Sequence, residues 1–250
     1  MSASSRSLSW RTLVDKASAP YEKDGRLGGR VAGHFARGKL RWDPVFRHLL
    51  VQGLIAPRSR VLDIGCGRGL LASLLRAASG EARDGRWPAG WAAAPDAARF
   101  TGIDVMASDV AHARHALGAD AVFVCGDMRS VVFPAADTVV ILDALHYLEA
   151  REQDAVLDRV RSALDGGGRL VLRVGDAASK RGFAASLWVD RIVCMLRGRS
   201  VRPRAGRSLA EWTARLAALG FEVSSQPMAQ GTPFANVLLV GTIGPAATQP

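Results

Sequence analysis

Cysteine is scarce, three in 250 residues and an odd number. That excludes a disulfide-stapled scaffold and points to a reducing compartment. Aromatic residues make up only 6% of the chain and are not interleaved with the Arg-rich segment 197–207, which argues against base stacking on RNA there. No apolar run is fit to span a membrane. The best stretch, Phe183 to Leu196, has Asp190 and Arg191 at its middle. The opening MSASSRSLSWRTLVDK has too little apolar length for a signal peptide, so a cytoplasmic location is expected. No fixed-period repeat is present, which excludes collagen, coiled coil and solenoid. No His/Cys/Asp group has metal-ligand spacing, so no metal site is expected, a catechol-type magnesium site included.

What the chain does have is core. Hydrophobic residues are 48% of it and mean hydropathy is +0.08, so disorder is excluded for most of its length. The length suits one larger domain with appendages. Charge is unevenly placed. Residues 1–60 carry 12 basic and 4 acidic groups, residues 61–180 carry 13 and 16, and residues 181–250 carry 8 and 3. A mildly acidic middle is therefore flanked by two basic ends.

The order of elements is informative. Residues 1–20 read as irregular and frayed. Residues 27–53 read as helix broken near Asp43-Pro44, with Val45, Phe46, Leu49 and Leu50 on one face. Strands are expected at Arg60–Asp63, Phe100–Asp104, Ala121–Val124, Thr138–Leu142 and Leu170–Val174, with helices at 70–78, 107–117 and 151–164 between them. Gly80 is expected to end the helix at 70–78. Residues 80–98 are rich in Gly, Pro and Ala and read as a long surface insertion. Asp165-Gly166-Gly167-Gly168 reads as a turn. Continuous apolar strands alternating with helices imply a parallel sheet covered on both faces, an α/β fold. Toward the end, Ser208 and Glu211 form a capping box for a helix with Leu209, Trp212, Leu216 and Leu219 turned inward. Phe221–Ser225 and Asn236–Thr242 then pair as an antiparallel hairpin.

A glycine loop follows the first strand. Gly65, Gly67 and Gly69 let the backbone turn sharply and approach a ligand lying on the strand tips. The dinucleotide fingerprint would need glycine at position 70, where Leu70 stands. The loop is preceded by an acid, Asp63, which would repel a pyrophosphate and attract a cation. Acids recur at the next two strand tips. Asp104 can accept hydrogen bonds from a ribose diol, and Asp127 from an exocyclic amine.

VLDIGCGRGLL (61–71), TGIDV (101–105), CGDM (125–128), TVVILDALHYL (138–148) and LDGGGRLVLRV (164–174) together resemble the ordered motifs of class I S-adenosylmethionine-dependent methyltransferases. The resemblance implies a Rossmann-like three-layer αβα sandwich on a seven-stranded, mostly parallel sheet of order 3-2-1-4-5-7-6, strand seven antiparallel. It implies S-adenosylmethionine as cofactor. Asp63 and the loop Gly65, Cys66, Gly67 and Gly69 would hold the aminocarboxypropyl end. Asp104 would bind the ribose, and Val105 and Met106 would flank the adenine. Asp127 would take its amine, the Met128 N–H would meet a ring nitrogen, and Asp143 would complete the cofactor site. Residues 1–53 would be a helical extension or lid. Residues 54–245 would be the methyltransferase domain, with insertions near 80–98 and, lid-like, 177–207.

The catalytic candidates lie at the tip of the fourth strand: Asp143, His146 and Tyr147. His146 could serve as a base for a phenolic acceptor, or pack as a polar residue beneath the cofactor; Tyr147 could wall the pocket. His34 and His48 read as solvated helix faces, His112 and His115 as surface residues, and Cys66 and Cys125 as small buried thiols. No Asn/Asp-Pro-Pro-Tyr/Phe turn follows the fourth strand, which argues against amino-methylation of bases in nucleic acid. The acceptor is expected to be a small or acyl-carrier-bound molecule, methylated at oxygen or activated carbon. The Arg-rich segments at 26–47 and 197–207 suit an acidic carrier protein or an anionic membrane surface. The run GRLGGRVAGHFARGKLRWDPVFRHLLVQGLI also resembles methyltransferases of bacterial aryl polyene biosynthesis, which implies an aromatic or polyene acceptor in secondary metabolism. RNA methylation and a non-catalytic cofactor-binding subunit are the alternatives.

Overall fold

A computed structural model of the chain describes residues 8–22, 27–96, 98–176, 206–228 and 236–244. It divides into two compact units, Met1–Asp127 and Met128–Pro250.

The first unit contains α1 (Trp10–Ser18), α2 (Leu27–Trp42), α3 (Pro44–Val51), β1 (Arg60–Ile64), α4 (Leu70–Arg83), β2 (Arg99–Asp104), α5 (Ala107–Leu117) and β3 (Val122–Cys125). β1 pairs with β2 and β2 with β3, all parallel, with Asp63 opposite Gly102 and Asp104 opposite Cys125. Parallel neighbours need crossover connections, and α4 and α5 supply them. The second unit contains β4 (Ala136–Leu142), a 3-10 turn (Leu145–Tyr147), α6 (Ala150–Ala163), β5 (Leu164–Gly175), α7 (Leu209–Ala218), β6 (Glu222–Pro227) and β7 (Asn236–Thr242). β4 and β5 are parallel, and β7 runs antiparallel to both β5 and β6. The strand order is β3-β2-β1-β4-β5-β7-β6, as the motifs imply. Helix α7 opens on the expected capping box: Ser208 Oγ accepts from the Glu211 N–H (3.3 Å), and Glu211 Oε2 accepts from the Ser208 N–H (2.7 Å). Trp212 and Leu216 are its buried residues, while Leu209 and Leu219 are half-buried.

Three local expectations are corrected. Residues 10–18 are not irregular. They form α1, capped by Ser9 Oγ, which accepts from the Thr12 N–H (3.1 Å). Leu13, Val14 and Ala17 are buried. Ser73 Oγ of α4 donates to the Ala17 carbonyl (2.6 Å). A nine-residue helix is marginal alone, so its stability comes from docking on α4, which local pattern does not report.

Gly80 does not end α4. The helix runs on to Arg83 because Glu81, 2% exposed, is held by Lys16 of α1 and by Arg86, whose Nε lies 2.7 Å from Glu81 Oε2. The hydrogen bond from Arg86 outweighs burial and brings the Glu81 carboxyl down to about 2. The terminating glycine is Gly85, in the left-handed region at φ +70°. The rest of the insertion is pinned by tryptophans. Trp87 and Trp91 meet edge-on at 5.3 Å, Trp10 lies 6.4 Å from Trp91, and Trp87 Nε1 donates to the Ala92 carbonyl (2.9 Å).

Asp165–Gly168 is not a free turn between elements. It is an irregular start to β5, where the register shifts between Ala136 and Thr138 of β4 and Gly167 has φ +80°. The lid-like insertion at 177–207 lies outside the described residues up to position 205. Among the described residues no helix is long and apolar enough to cross a membrane.

Candidate cofactor site

The first unit brings together the predicted loop and two of its three acids. β1 delivers Asp63, only 4% exposed, and β2 delivers Asp104, 9% exposed. Between them runs the loop from Gly65 to Gly69. Gly65, Gly67 and Gly69 all have left-handed φ (80°, 52° and 75°). The Gly65 and Cys66 N–H groups both donate to the Ile103 carbonyl (2.8 and 3.1 Å), which ties the loop to β2.

Asp104 organises what is left. Its Oδ2 accepts from the Gly67 N–H and its Oδ1 from the Met106 N–H, both at 2.8 Å. Each oxygen therefore points in a set direction and keeps lone-pair capacity for a further donor. The Gly126 N–H donates to the Asp104 carbonyl (3.0 Å), which places the residue before Asp127 against the same strand tip. Asp127 is half-buried there.

The electrostatics are one-sided. Burial, reinforced by the Asp104 charge, pushes the Asp63 carboxyl up to about 8. Burial also pushes the Cys66 thiol well up, with Asp63 and Asp104 adding to it. A phosphate would worsen this repulsion, whereas an ammonium or sulfonium would relieve it. The backbone leaves room for such a ligand. A Cβ on Gly67 would meet nothing within 4 Å, so the loop is open at its middle. Its far end, and the β2 backbone beside it, are closed. A Cβ on Gly69 would come within 2.8 Å of Phe123 Cζ, and one on Gly102 within 2.8 Å of Cys66 Sγ. The donor set therefore fits the cationic, ribose-bearing group that the motifs imply.

These two glycines give a separable prediction. Gly67→Ala is expected to fold, with about 1–2 kcal/mol of left-handed strain, and to lose ligand affinity because its methyl enters the open space. Gly69→Ala adds the Phe123 contact to that strain and is expected to lose about 2–4 kcal/mol of stability. Melting temperature and S-adenosylhomocysteine affinity, measured on both variants, separate the two effects.

The loop is braced from the amino-terminal side by residues that pattern reading did not single out. The Tyr21 hydroxyl donates to the Arg68 carbonyl (2.9 Å). Its burial raises the phenol well above its ordinary range, which keeps the proton on that donor. Arg68 Nε donates to Asp109 Oδ1 (3.1 Å), and its guanidinium lies 5.7 Å from the Phe35 ring. No local signal pointed to Tyr21, because its partner is 47 residues away.

The remaining predicted residues are placed as follows. Val105 is 51% exposed, and Met106 caps α5. The Met128 carbonyl accepts from Arg159 Nη1 (2.6 Å) within the second unit. Cys66 is buried as expected, but Cys125 is exposed because it ends β3 with its Sγ toward the Val105 carbonyl (3.9 Å). His34, His112 and His115 are exposed, whereas His48 is half-buried and burial lowers its pKa.

Also in the second unit, Asp143 follows β4 with left-handed φ (+56°). Arg173 of β5, 2% exposed, clasps it: Nε lies 2.9 Å from Oδ1, and Nη2 contacts Oδ2. The Asp143 N–H donates to the Arg173 carbonyl (3.2 Å). His146 and Tyr147 stand ring to ring at 4.2 Å. Their turn is held by fully buried Gln153, whose Nε2 donates to the Leu145 and Leu148 carbonyls, both at 3.1 Å. Arg173 was open to detection, since a lone arginine inside the apolar run Leu170–Val174 needs a buried partner.

Comparison with known proteins bears on the family and the fold. Residues 61–168 match the family model described as a methyltransferase domain. A carboxy-S-adenosyl-L-methionine synthase of Chromohalobacter salexigens is 35% identical over 130 residues, covering 48% of this chain and 43% of that protein. One from Shewanella oneidensis is 25% identical over 160 residues, covering 60% of each. The chain thus spans about half the length of these relatives. Among solved structures, an O-methyltransferase family protein from Burkholderia thailandensis superposes with a TM-score of 0.60 at 19% identity, covering 97% of this chain and 66% of that one. Magnesium protoporphyrin IX methyltransferase from Synechocystis, with bound S-adenosylhomocysteine, gives 0.56 at 18% identity over 91% and 93%. Residues 61–168, which include the glycine loop, Asp63, Asp104, Asp127 and Asp143, match a methyltransferase domain, and the chain has the fold of the class I S-adenosylmethionine-dependent methyltransferases.

Proposed function

We propose that this protein transfers the methyl group of S-adenosylmethionine to a small or carrier-tethered acceptor, at oxygen or at an activated aromatic carbon. The observation that carries the reading is the buried acidic pair Asp63 and Asp104 beside the open middle of the glycine loop. When bound, the cofactor supplies an electrophilic methyl on a sulfonium. The chain's own part is to bind and orient. Asp63 faces the ammonium end. Asp104, already aimed by two backbone N–H groups, accepts from the ribose hydroxyls with its remaining lone pairs. Val105 and Met106 flank the adenine, and Asp127 and the Met128 N–H read its edge. Alignment does most of the work in such a displacement. A base is needed only where the acceptor carries its proton. For a phenol, His146 takes that proton while Tyr147 walls the acceptor. An aromatic or polyene acceptor, presented on a carrier or free, fits the resemblance of the amino-terminal run.

Calorimetry with S-adenosylhomocysteine and with NAD, followed by transfer of labelled methyl into candidate acceptors, tests this. Binding of the first ligand only, and label moving onto an acceptor, are expected. For a phenolic acceptor, His146→Ala is expected to lower turnover about 100-fold or more with cofactor affinity unchanged. NAD binding would overturn the reading, as would an intact cofactor site with no turnover. The 35% likeness to carboxy-S-adenosyl-L-methionine synthase favours a second reading, modification of the cofactor itself. In that case the labelled methyl stays on a nucleoside of increased mass, which mass spectrometry of the product distinguishes.

A further inference from the structure

Helix α2 differs from an ordinary surface helix in carrying apolar residues on both its buried and its exposed side. Its buried side is Ala32, Ala36 and Leu40, all small or aliphatic. At about 100° per residue, the opposite ridge is formed by Val31, Phe35, Gly38 and Trp42, which fall within about 60° of one another. That ridge should be polar in water. Instead Val31 is 65% exposed and Trp42 is 73% exposed, and Phe35 is the third large apolar residue of the chain's exposed set on this helix. A Cβ on Gly38 would touch nothing, so the ridge is not obstructed at its centre.

The flanks are cationic. Lys39 and Arg41 are exposed on either side of the ridge, while Arg47 of α3 lies 5.9 Å from the Trp91 ring. The Arg41 guanidinium lies 5.4 Å from the Trp42 ring, a pairing suited to the boundary between apolar and polar phases. Among the described residues, three nearby acids are paired. Asp43 is buried and paired with Lys39 (2.8 Å), and Asp15 and Glu22 both hold Arg37 (3.1 and 2.7 Å). Residues 1–60 carry 12 basic and 4 acidic groups, so this end of the chain is cationic in balance.

We infer that the α2 ridge is an interfacial docking face that seats this protein on an anionic lipid surface. Val31, Phe35 and Trp42 enter the headgroup boundary, while Arg41, beside Trp42, meets lipid phosphates. The opposing charge of such lipids selects this occupant over a neutral apolar partner. The inference stands independently of the methyl acceptor.

The test is vesicle co-sedimentation of the full chain, with phosphatidylcholine vesicles and with vesicles containing phosphatidylglycerol. Sedimentation with the anionic vesicles, weakened by added salt and absent with the neutral ones, is expected. Trp42→Ala combined with Val31→Ser should lower the partition coefficient about tenfold or more, since each loses buried apolar area at the interface. Arg41→Gln should lower it about severalfold and flatten the salt dependence. Because all three side chains are exposed, circular dichroism and S-adenosylhomocysteine affinity are expected to match those of the parent protein. Equal partition of parent and double variant would overturn the inference, as would equal binding to both vesicle types. Capture of the protein by an acidic acyl carrier protein, with no binding to anionic vesicles, would overturn it in favour of a protein partner.

Discussion

Asp63→Asn is expected to stabilise the ligand-free protein at and above neutral pH while weakening its hold on the cofactor, and both effects have one origin. The Asp63 carboxyl is raised from 3.8 to about 8 by burial and by Asp104. Between those values the folded chain keeps a proton that the unfolded chain has released. Stability therefore falls as pH rises through this window, by about 1.4 kcal/mol per pH unit, and levels off above about pH 8. Asparagine has no proton to lose, so the variant should show a flatter melting-temperature profile from about pH 5 to about pH 9. Its advantage over the parent should widen with pH.

Binding runs the other way. A cationic ligand beside Asp63 favours the ionised form, so S-adenosylhomocysteine should release a proton on binding near pH 7 and bind more tightly as pH rises toward 8. Calorimetric heats that vary with the ionisation enthalpy of the buffer would register that proton. In Asp63→Asn both the proton release and about 1–3 kcal/mol of affinity should vanish. A pH-independent affinity in the parent protein would contradict the placement of the ammonium end at Asp63.

Asp104→Asn is expected to cost about 1–3 kcal/mol of cofactor affinity for a different reason. The Asp104 carboxylate serves the Gly67 and Met106 N–H groups at once, one on each oxygen. An asparagine offers one acceptor oxygen and turns an amide N–H toward the other donor. Either the glycine loop or the start of α5 then loses its tether. Losing the charge simultaneously relieves Asp63, so the proton linkage of Asp63 should move to lower pH. The double variant Asp63→Asn with Asp104→Asn should therefore be non-additive in both stability and affinity. Additive effects within about 0.5 kcal/mol would show that the two carboxylates act independently.

The glycine loop, Asp63, Asp104 and Asp127 were legible because their chemistry is local. A strand that ends in an acid and a glycine-rich bend announces its own geometry, since few residues other than glycine adopt φ near +50° to +80°. The alternation of apolar strands and amphipathic helices, and the capping box at Ser208, are likewise written in neighbouring positions. The closing hairpin was read there too, whereas the strand order β3-β2-β1-β4-β5-β7-β6 came from the resemblance of the motifs to class I methyltransferases.

What neighbouring positions could not announce were the contacts made across long stretches of chain. Helix α1 spaces Trp10, Leu13, Val14 and Ala17 for one face, but at nine residues it is too short to be stable alone, and it persists because Leu13, Val14 and Ala17 are buried where it docks on α4. Gly80 looks like a helix stop until Glu81 is seen held by Lys16, 65 residues earlier. The brace from Tyr21 to the glycine loop and the clasp of Arg173 on Asp143 likewise join residues 47 and 30 positions apart. Order along the chain thus settled the fold class and the acids that crown its strands, because turn and strand preferences act over a few residues. Folding in three dimensions decided which of those acids stay protonated, what holds the loop still, and where helices end. Burial and charge pairing depend on what lies nearby in space, and distance along the backbone does not encode that.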